Sequence, residues 1–121
     1  MPSPTRLLRI ADRIRKELSE MLVMGEINDP RLIGITITDV KVDRELGYTN
    51  IFVSALEGSK RKEDILKGLE SASGFLRHNL ADRIELRVFP RLRFYWDPTP
   101  ERADRIEQLL DEIHKEEDKK L

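Results

Sequence analysis

The chain has 121 residues, the size of one ordinary domain, with 39% hydrophobic and 37% charged residues, the latter well above the ~25% of an average globular protein. Its 22 Lys+Arg and 23 Asp+Glu nearly cancel, so any nucleic-acid role must rest on where the charges sit and not on their sum. The absence of cysteine excludes disulfide scaffolds, thiol catalysis and Cys-ligated zinc, and two histidines leave little for a His-based metal site.

No apolar run approaches the ~18 residues of a membrane span, and Met1-Pro2-Ser3-Pro4-Thr5-Arg6 leads into a charged helical pattern, not an apolar signal core. The expectation is a soluble, cytoplasmic, single-domain protein over 1–121 with no metal and no cofactor.

The first segment, Thr5 to Gly25, reads as a helix capped by Ser3 with Pro4 at its first position. At about 100° per residue, Leu7, Ala11, Ile14, Leu18, Met21 and Leu22 share one stripe. Arg6, Arg9, Arg13 and Lys16 lie within an arc of about 80° on the other side. Asp12 supports this helix through an i,i+4 pair with Lys16. Asn28-Asp29-Pro30 is a turn signal. The β-branched run Ile35–Val42 predicts a strand whose apolar phase switches between Ile37 and Val40, as a bulge near Thr38 or Asp39 allows.

Asp43-Arg44-Glu45-Leu46-Gly47 reads as a hairpin loop with Gly47 at positive φ. The next strand, Tyr48–Leu56, is apolar on both faces at its centre, which predicts neighbours on both sides or cover over both faces. From Lys60 to Ala81, Ile65, Leu69, Ala72, Leu76 and Leu80 keep helical spacing. Ser73-Gly74 interrupts the pattern and predicts two short helices at a sharp bend. Leu86–Trp96 reads as extended, divided by Pro90, with Leu92, Phe94 and Trp96 alternating against Arg91, Arg93 and Tyr95. Thr99 caps a last helix with Pro100 at its first position and Ala103, Ile106, Leu109, Leu110 and Ile113 as its apolar face; 114–121 reads as a charged, frayed tail. The expected fold is α+β, in the order α-β-β-α-kink-α-β with a C-terminal helix, its three-stranded sheet covered by helices.

Charge is segregated along the chain. Residues 1–25 carry net +2 and residues 67–94 net +3, whereas 26–66 carry −2 and 97–121 carry −4. A local basic patch on a neutral protein is what phosphate binding requires. The candidates are Arg6, Arg9, Arg13, Lys16, Arg77, Arg83, Arg87, Arg91 and Arg93, with His78 beside Arg77. Any one of them is as readily a solvated surface charge; the segregation of sign favours the set. Small residues at the bend, Ala72, Ser73 and Gly74, would let a nucleic-acid backbone approach, although composition alone equally allows simple relief of crowding. Tyr95 on the basic face is placed either to stack on a base or to half-bury as an ordinary strand tyrosine. No nucleophile–base pair, Ser/His/Asp signature or Gly-rich phosphate loop is present, so no catalytic residue is assigned.

Several stretches together resemble bacterial ribosome-binding factor A. They are Arg13-Ile14-Arg15-Lys16-Glu17-Leu18, Asp29-Pro30-Arg31-Leu32, Ile35–Val40, Tyr48–Leu56, Ser71-Ala72-Ser73-Gly74-Phe75-Leu76-Arg77, Leu86-Arg87, Pro90-Arg91-Leu92-Arg93-Phe94 and Asp97. The resemblance implies a type II KH-like fold and a non-enzymatic factor. Such a factor binds the small (30S) ribosomal subunit and assists late maturation of the 5′ region of its 16S rRNA, notably in the cold, with GTPase assembly factors implicated in release. RNA-binding KH modules clamp the backbone with Gly-x-x-Gly. No two glycines here (25, 34, 47, 58, 68, 74) are three apart, and Ala72-Ser73-Gly74 stands in that place, so binding must lean on the flanking arginines.

The expectation is a monomeric RNA-binding assembly factor, with Arg77 and His78 foremost, then Arg13 and Arg9, then Arg91 and Arg93. Two rivals are a protein–protein module of ribosome assembly that makes no direct RNA contact and a small rRNA-directed hydrolase.

Overall fold

The computed structural model describes the backbone of residues 2–120 and the side chains of residues 2–117. The elements run α1 (Pro4–Val23), β1 (Ile35–Val42), β2 (Tyr48–Ala55), α2 (Lys62–Arg83), β3 (Arg91–Trp96) and α3 (Thr99–Lys120), with 3-10 turns at Pro30–Leu32 and Ser59–Arg61. The sheet order is β1-β2-β3, antiparallel between β1 and β2 and parallel between β2 and β3. The parallel pair demands a crossover, and α2 supplies it. This is the expected α+β architecture.

Helix α1 begins and ends as its sequence dictates. The Ser3 hydroxyl accepts from the Arg6 N–H (3.2 Å) and Pro4 occupies the first helical position. Gly25, at φ +68°, turns the chain out, and the Glu26 N–H returns to the Met21 carbonyl (3.2 Å). Its buried stripe is Ile10, Ala11, Ile14, Leu18 and Met21; Leu7 and Leu22 are only half-buried. Burying each of the larger side chains contributes about 2 kcal/mol.

The phase switch in β1 is resolved by a register shift between Ile37 and Asp39. Ile37 and Val40 thereby both reach the core. β2 is the central strand, which accounts for its apolar centre. Thr49, Ile51, Val53 and Ala55 face the helices and are buried. Tyr48, Asn50, Phe52 and Ser54 take the opposite face. The core joins these residues to Ile65, Leu69, Leu76 and Leu80 of α2 and to Ile84 and Phe89.

Five expectations are corrected. First, α2 is one 22-residue helix, not two helices at a bend. Ile65, Leu69, Leu76 and Leu80 fall within an arc of about 60°, so both halves bury the same face and a continuous helix satisfies them. Second, the left-handed residue of the hairpin is Leu46 (φ 58°), not Gly47. The Asp43 carboxylate accepts from the N–H groups of Gly47 (2.7 Å) and Tyr48 (3.2 Å) and sets the turn one residue earlier. Third, residues 86–90 form no strand, and β3 starts only after Pro90. Fourth, Thr99 lies inside α3, and the cap is supplied by Asp97, whose carboxylate accepts from the Thr99 N–H (2.9 Å). Fifth, the apolar face of α3 is not packed on the body. Ile106 is 58% exposed and Leu110 49%. The segment expected as a frayed tail is helical through Lys120; Leu121 lies outside the described residues.

Candidate nucleic-acid interface

The cations form two surfaces. On the helix side, Arg6, Arg9 and Arg13 project from successive turns of α1 and line a shallow groove of about 370 Å³ with Ile10, Ile84, Glu85 and Leu86. Arg13 is partly committed there, donating to Glu17 (3.4 Å) and to the Arg83 carbonyl (3.2 Å). No ion pair engages Arg6 or Arg9 among the described residues. Lys16, one turn on, is paired with Asp12 (3.3 Å), and its exposed partner is held below the usual carboxylate range by hydrogen bonds from Arg15 and Lys16.

A second groove, about 390 Å³, runs between α2 and the outer edge of β3. Its walls include Leu66, Glu70 and Ser73 from the helix and Leu92, Arg93 and Tyr95 from the strand. Among the described residues β3 pairs only with β2, so its outer edge keeps unpaired backbone groups. Ala72 and Ser73 are half-buried and Gly74 is exposed, where an added Cβ would meet open space. Of the three small residues, Ser73 lines the groove, Gly74 faces open space and Ala72 packs against the core, and α2 runs through them without a break.

Two expected contacts are committed elsewhere. The half-buried Arg77 guanidinium donates to the Phe89 carbonyl from Nη2 (2.6 Å) and Nε (3.2 Å), and to the Pro90 carbonyl (3.3 Å). It clamps the turn that feeds β3. Arg77→Glu would therefore disturb the fold as well as the surface charge, since a carboxylate would face two carbonyl oxygens. Arg83 donates to Glu26 (2.8 and 2.9 Å) and to Glu17 (3.5 Å). Its pKa is raised, first by the Glu26 hydrogen bond. Arg77 and Arg83 are stitches between α2 and its neighbours. His78 is exposed, with Nε2 3.8 Å from Asp82. Arg87 is exposed in the 84–90 connection.

Arg91 and Arg93 lie on the sheet face opposite the helices, because Leu92, Phe94 and Trp96 pack toward the core. The register places Tyr48, Asn50 and Phe52 beside Arg91, Arg93 and Tyr95 in that order. Arg93 sits 3.8 Å over the Tyr48 ring and donates to Asn50 Oδ1 (3.0 Å). Phe52 stacks on Tyr95 with centroids 5.6 Å apart, and the Lys41 ammonium lies 5.6 Å from the Phe52 ring centre. Tyr48, Phe52, Asn50 and Lys41 were not among the residues singled out from sequence. Alternation along each strand is visible there, but which alternate residues become neighbours depends on the parallel register.

Among the described residues, no cluster of metal-ligating side chains occurs and no helix is long and apolar enough to cross a membrane. What the arrangement offers is fixed cations, exposed rings and an open strand edge.

Comparison with known proteins agrees with this frame. A family model described as ribosome-binding factor A matches residues 6–110. Ribosome-binding factor A of Aromatoleum aromaticum is 36% identical over 114 residues, covering 94% of this chain and 89% of the relative. That of Chromohalobacter salexigens is 43% identical over 106 residues, covering 86% and 80%. The crystal structure of ribosome-binding factor A from Thermus thermophilus superposes with a TM-score of 0.67 at 26% identity, over 74% of this chain and 93% of that one. A model of the Thermus thermophilus factor fitted into a cryo-EM map of its 30S complex gives 0.52 at 27% identity, over 68% and 89%. The agreement of sequence, strand order and helix placement means that this chain belongs to the ribosome-binding factor A family.

Proposed function

We propose that this protein binds the small ribosomal subunit through its rRNA and assists late maturation of the 5′ region of 16S rRNA, in the cytoplasm and without catalysing a reaction. The observation that carries this reading is the convergence of candidate residues on two grooves. Arg6, Arg9 and Arg13 share one, and Ser73 and Arg93 share the other beside an open strand edge. Guanidinium groups suit phosphate because they fork onto its oxygens and stay charged. The packed helices and sheet fix the backbone positions from which these groups project, so a single conformation of the rRNA is favoured and its population grows at the expense of immature ones. The fitted 30S complex of the Thermus thermophilus factor supports the choice of partner. In this reading the protein acts as a monomer, and GTPase assembly factors drive its release.

Crosslinking to precursor small subunits, with the contacted nucleotides identified, tests the proposal. Crosslinks from the Arg6–Arg13 flank and from Ser73 to rRNA are expected; crosslinks to ribosomal proteins alone would overturn it. One observation favours a second reading, a protein-docking module without RNA contact. Helix α3 exposes Ile106, Leu109, Leu110 and Ile113 on a segment, 97–121, of net charge −4. Salt-insensitive binding to the subunit would support that reading instead.

A further inference from the structure

The open face of the sheet carries a feature that phosphate recognition does not use. Its centre is aromatic where a solvent-facing sheet surface is ordinarily polar. Tyr48, Phe52 and Tyr95 lie side by side on β2 and β3, with Tyr95 42% and Tyr48 36% exposed. Cations surround them: Lys41 beside Phe52, Arg93 over Tyr48, and the exposed Arg91 as the register partner of Tyr48. The facing carboxylate is Asp39, the register partner of Phe52, whose Oδ1 is occupied by the Val40 N–H (2.9 Å). The carboxylates of Glu101 and Asp104 bound the face at its other end, near Thr36 and Ser54.

We propose that this face binds a short single-stranded segment of RNA by stacking unpaired bases on the Phe52–Tyr95 pair and on Arg93, with Lys41 and Arg91 on the adjoining phosphates. Arg93 is already oriented for that task. Its guanidinium carbon lies 3.8 Å over the Tyr48 ring, its Nε donates to Asn50 Oδ1, and the side chain is exposed. A base stacked on the guanidinium opposite Tyr48 would complete a ring–guanidinium–base sandwich, an arrangement that tolerates any base. A flat sheet cannot enter the grooves of an A-form duplex, so the occupant is single-stranded. The charge favours RNA over peptide, since three cations border the rings. This inference rests on the proposal that the chain binds rRNA. It adds a third contact surface, on the side of the sheet away from the α1 groove and sharing Arg93 and Tyr95 with the groove between α2 and β3.

The test uses the full chain and octauridine. NMR signals of the Tyr48, Phe52 and Tyr95 rings are followed during titration, and affinity is read by anisotropy of the labelled oligonucleotide. The rings are expected to shift. Tyr95→Leu and Arg93→Gln should each weaken binding about fivefold or more. Tyr95→Phe, which keeps the ring, should retain affinity. Unmoved rings, or a Tyr95→Leu protein that melts like the parent and binds equally well, would overturn the inference. If Tyr95→Leu does not fold, the ring shifts of the unaltered chain and Tyr48→Leu decide instead. Shifts produced by a lysine-free peptide but not by octauridine would mark a protein-binding face and equally overturn it. Cosedimentation of the unaltered chain with small subunits separates the two proposals. Its failure refutes the ribosomal reading, whereas subunit binding with silent rings refutes this inference alone.

Discussion

Asp97 ties three parts of the molecule together. Its backbone N–H donates to the Val53 carbonyl (2.7 Å), its Oδ2 accepts from the Thr38 hydroxyl in the bulge (2.7 Å), and its Oδ1 caps α3. The hydrogen bonds to its carboxylate from Thr38 and Thr99, Thr38 first, hold its pKa below the usual carboxylate range. A carboxylate depressed on folding stabilises the native state above its unfolded pKa and loses that contribution as pH falls through the folded value. Asp97→Asn should therefore cost about 1–2 kcal/mol at neutral pH. Denaturant melts should show the gap to the parent closing below about pH 4. Arg77→Met should cost about 2 kcal/mol, since the Phe89 and Pro90 carbonyls lose a charged donor; thermal unfolding reads this directly. Thr49 makes the opposite case. Its hydroxyl is fully buried and has no hydrogen-bond partner among the described residues, so Thr49→Val should stabilise by about 1 kcal/mol and raise Tm by a few degrees.

The elements differ in how they are held. α1 and α2 are pinned by buried stripes, whereas α3 is held at its start, by the Asp97 cap and by a hydrogen bond from Trp96 Nε1 to Glu101 (3.2 Å). Two glycines of α2 separate packing from propensity. At Gly68 a Cβ would stand 3.0 Å from Leu32 Cδ2 and 3.3 Å from Arg31 Cβ, because the Pro30–Leu32 turn docks there. At Gly74 it would meet nothing. Gly74→Ala should stabilise the helix by about 0.5–1 kcal/mol, and Gly68→Ala should destabilise it by about 1 kcal/mol or more. Equal effects in chemical denaturation would refute the docking of that turn. Should Gly74→Ala be more stable yet bind small subunits less well, Gly74 serves close approach and not folding.

Across the whole molecule, the cations divide into two groups. Among the described residues no ion pair engages Arg6 or Arg9, whereas Arg77 and Arg83 are spent on the fold. Replacing Arg6 and Arg9 by Gln should lower the slope of log affinity against log salt by about 1 to 2 units while leaving the melting curve in place. An unchanged slope in cosedimentation would remove that flank from the interface. Much of this was legible beforehand. The Ser3-Pro4 start of α1, the bulge in β1, the element order and the basic face of β3 are written in local chemistry: caps, β-branching and periodicity act within a few residues. The continuity of α2 was not, because Ser73-Gly74 signals a break that two collinear buried stripes override. Nor was the fate of Arg77 and Arg83, whose partners lie in other elements. Nor was the aromatic platform, which exists because a parallel register sets Tyr48 beside Arg91 and Phe52 beside Tyr95. Short-range preferences thus settle which segments form and which face of each is wet; pairing across the fold settles which charges stay available, because a guanidinium is free only where no distant carboxylate or carbonyl has been brought to it.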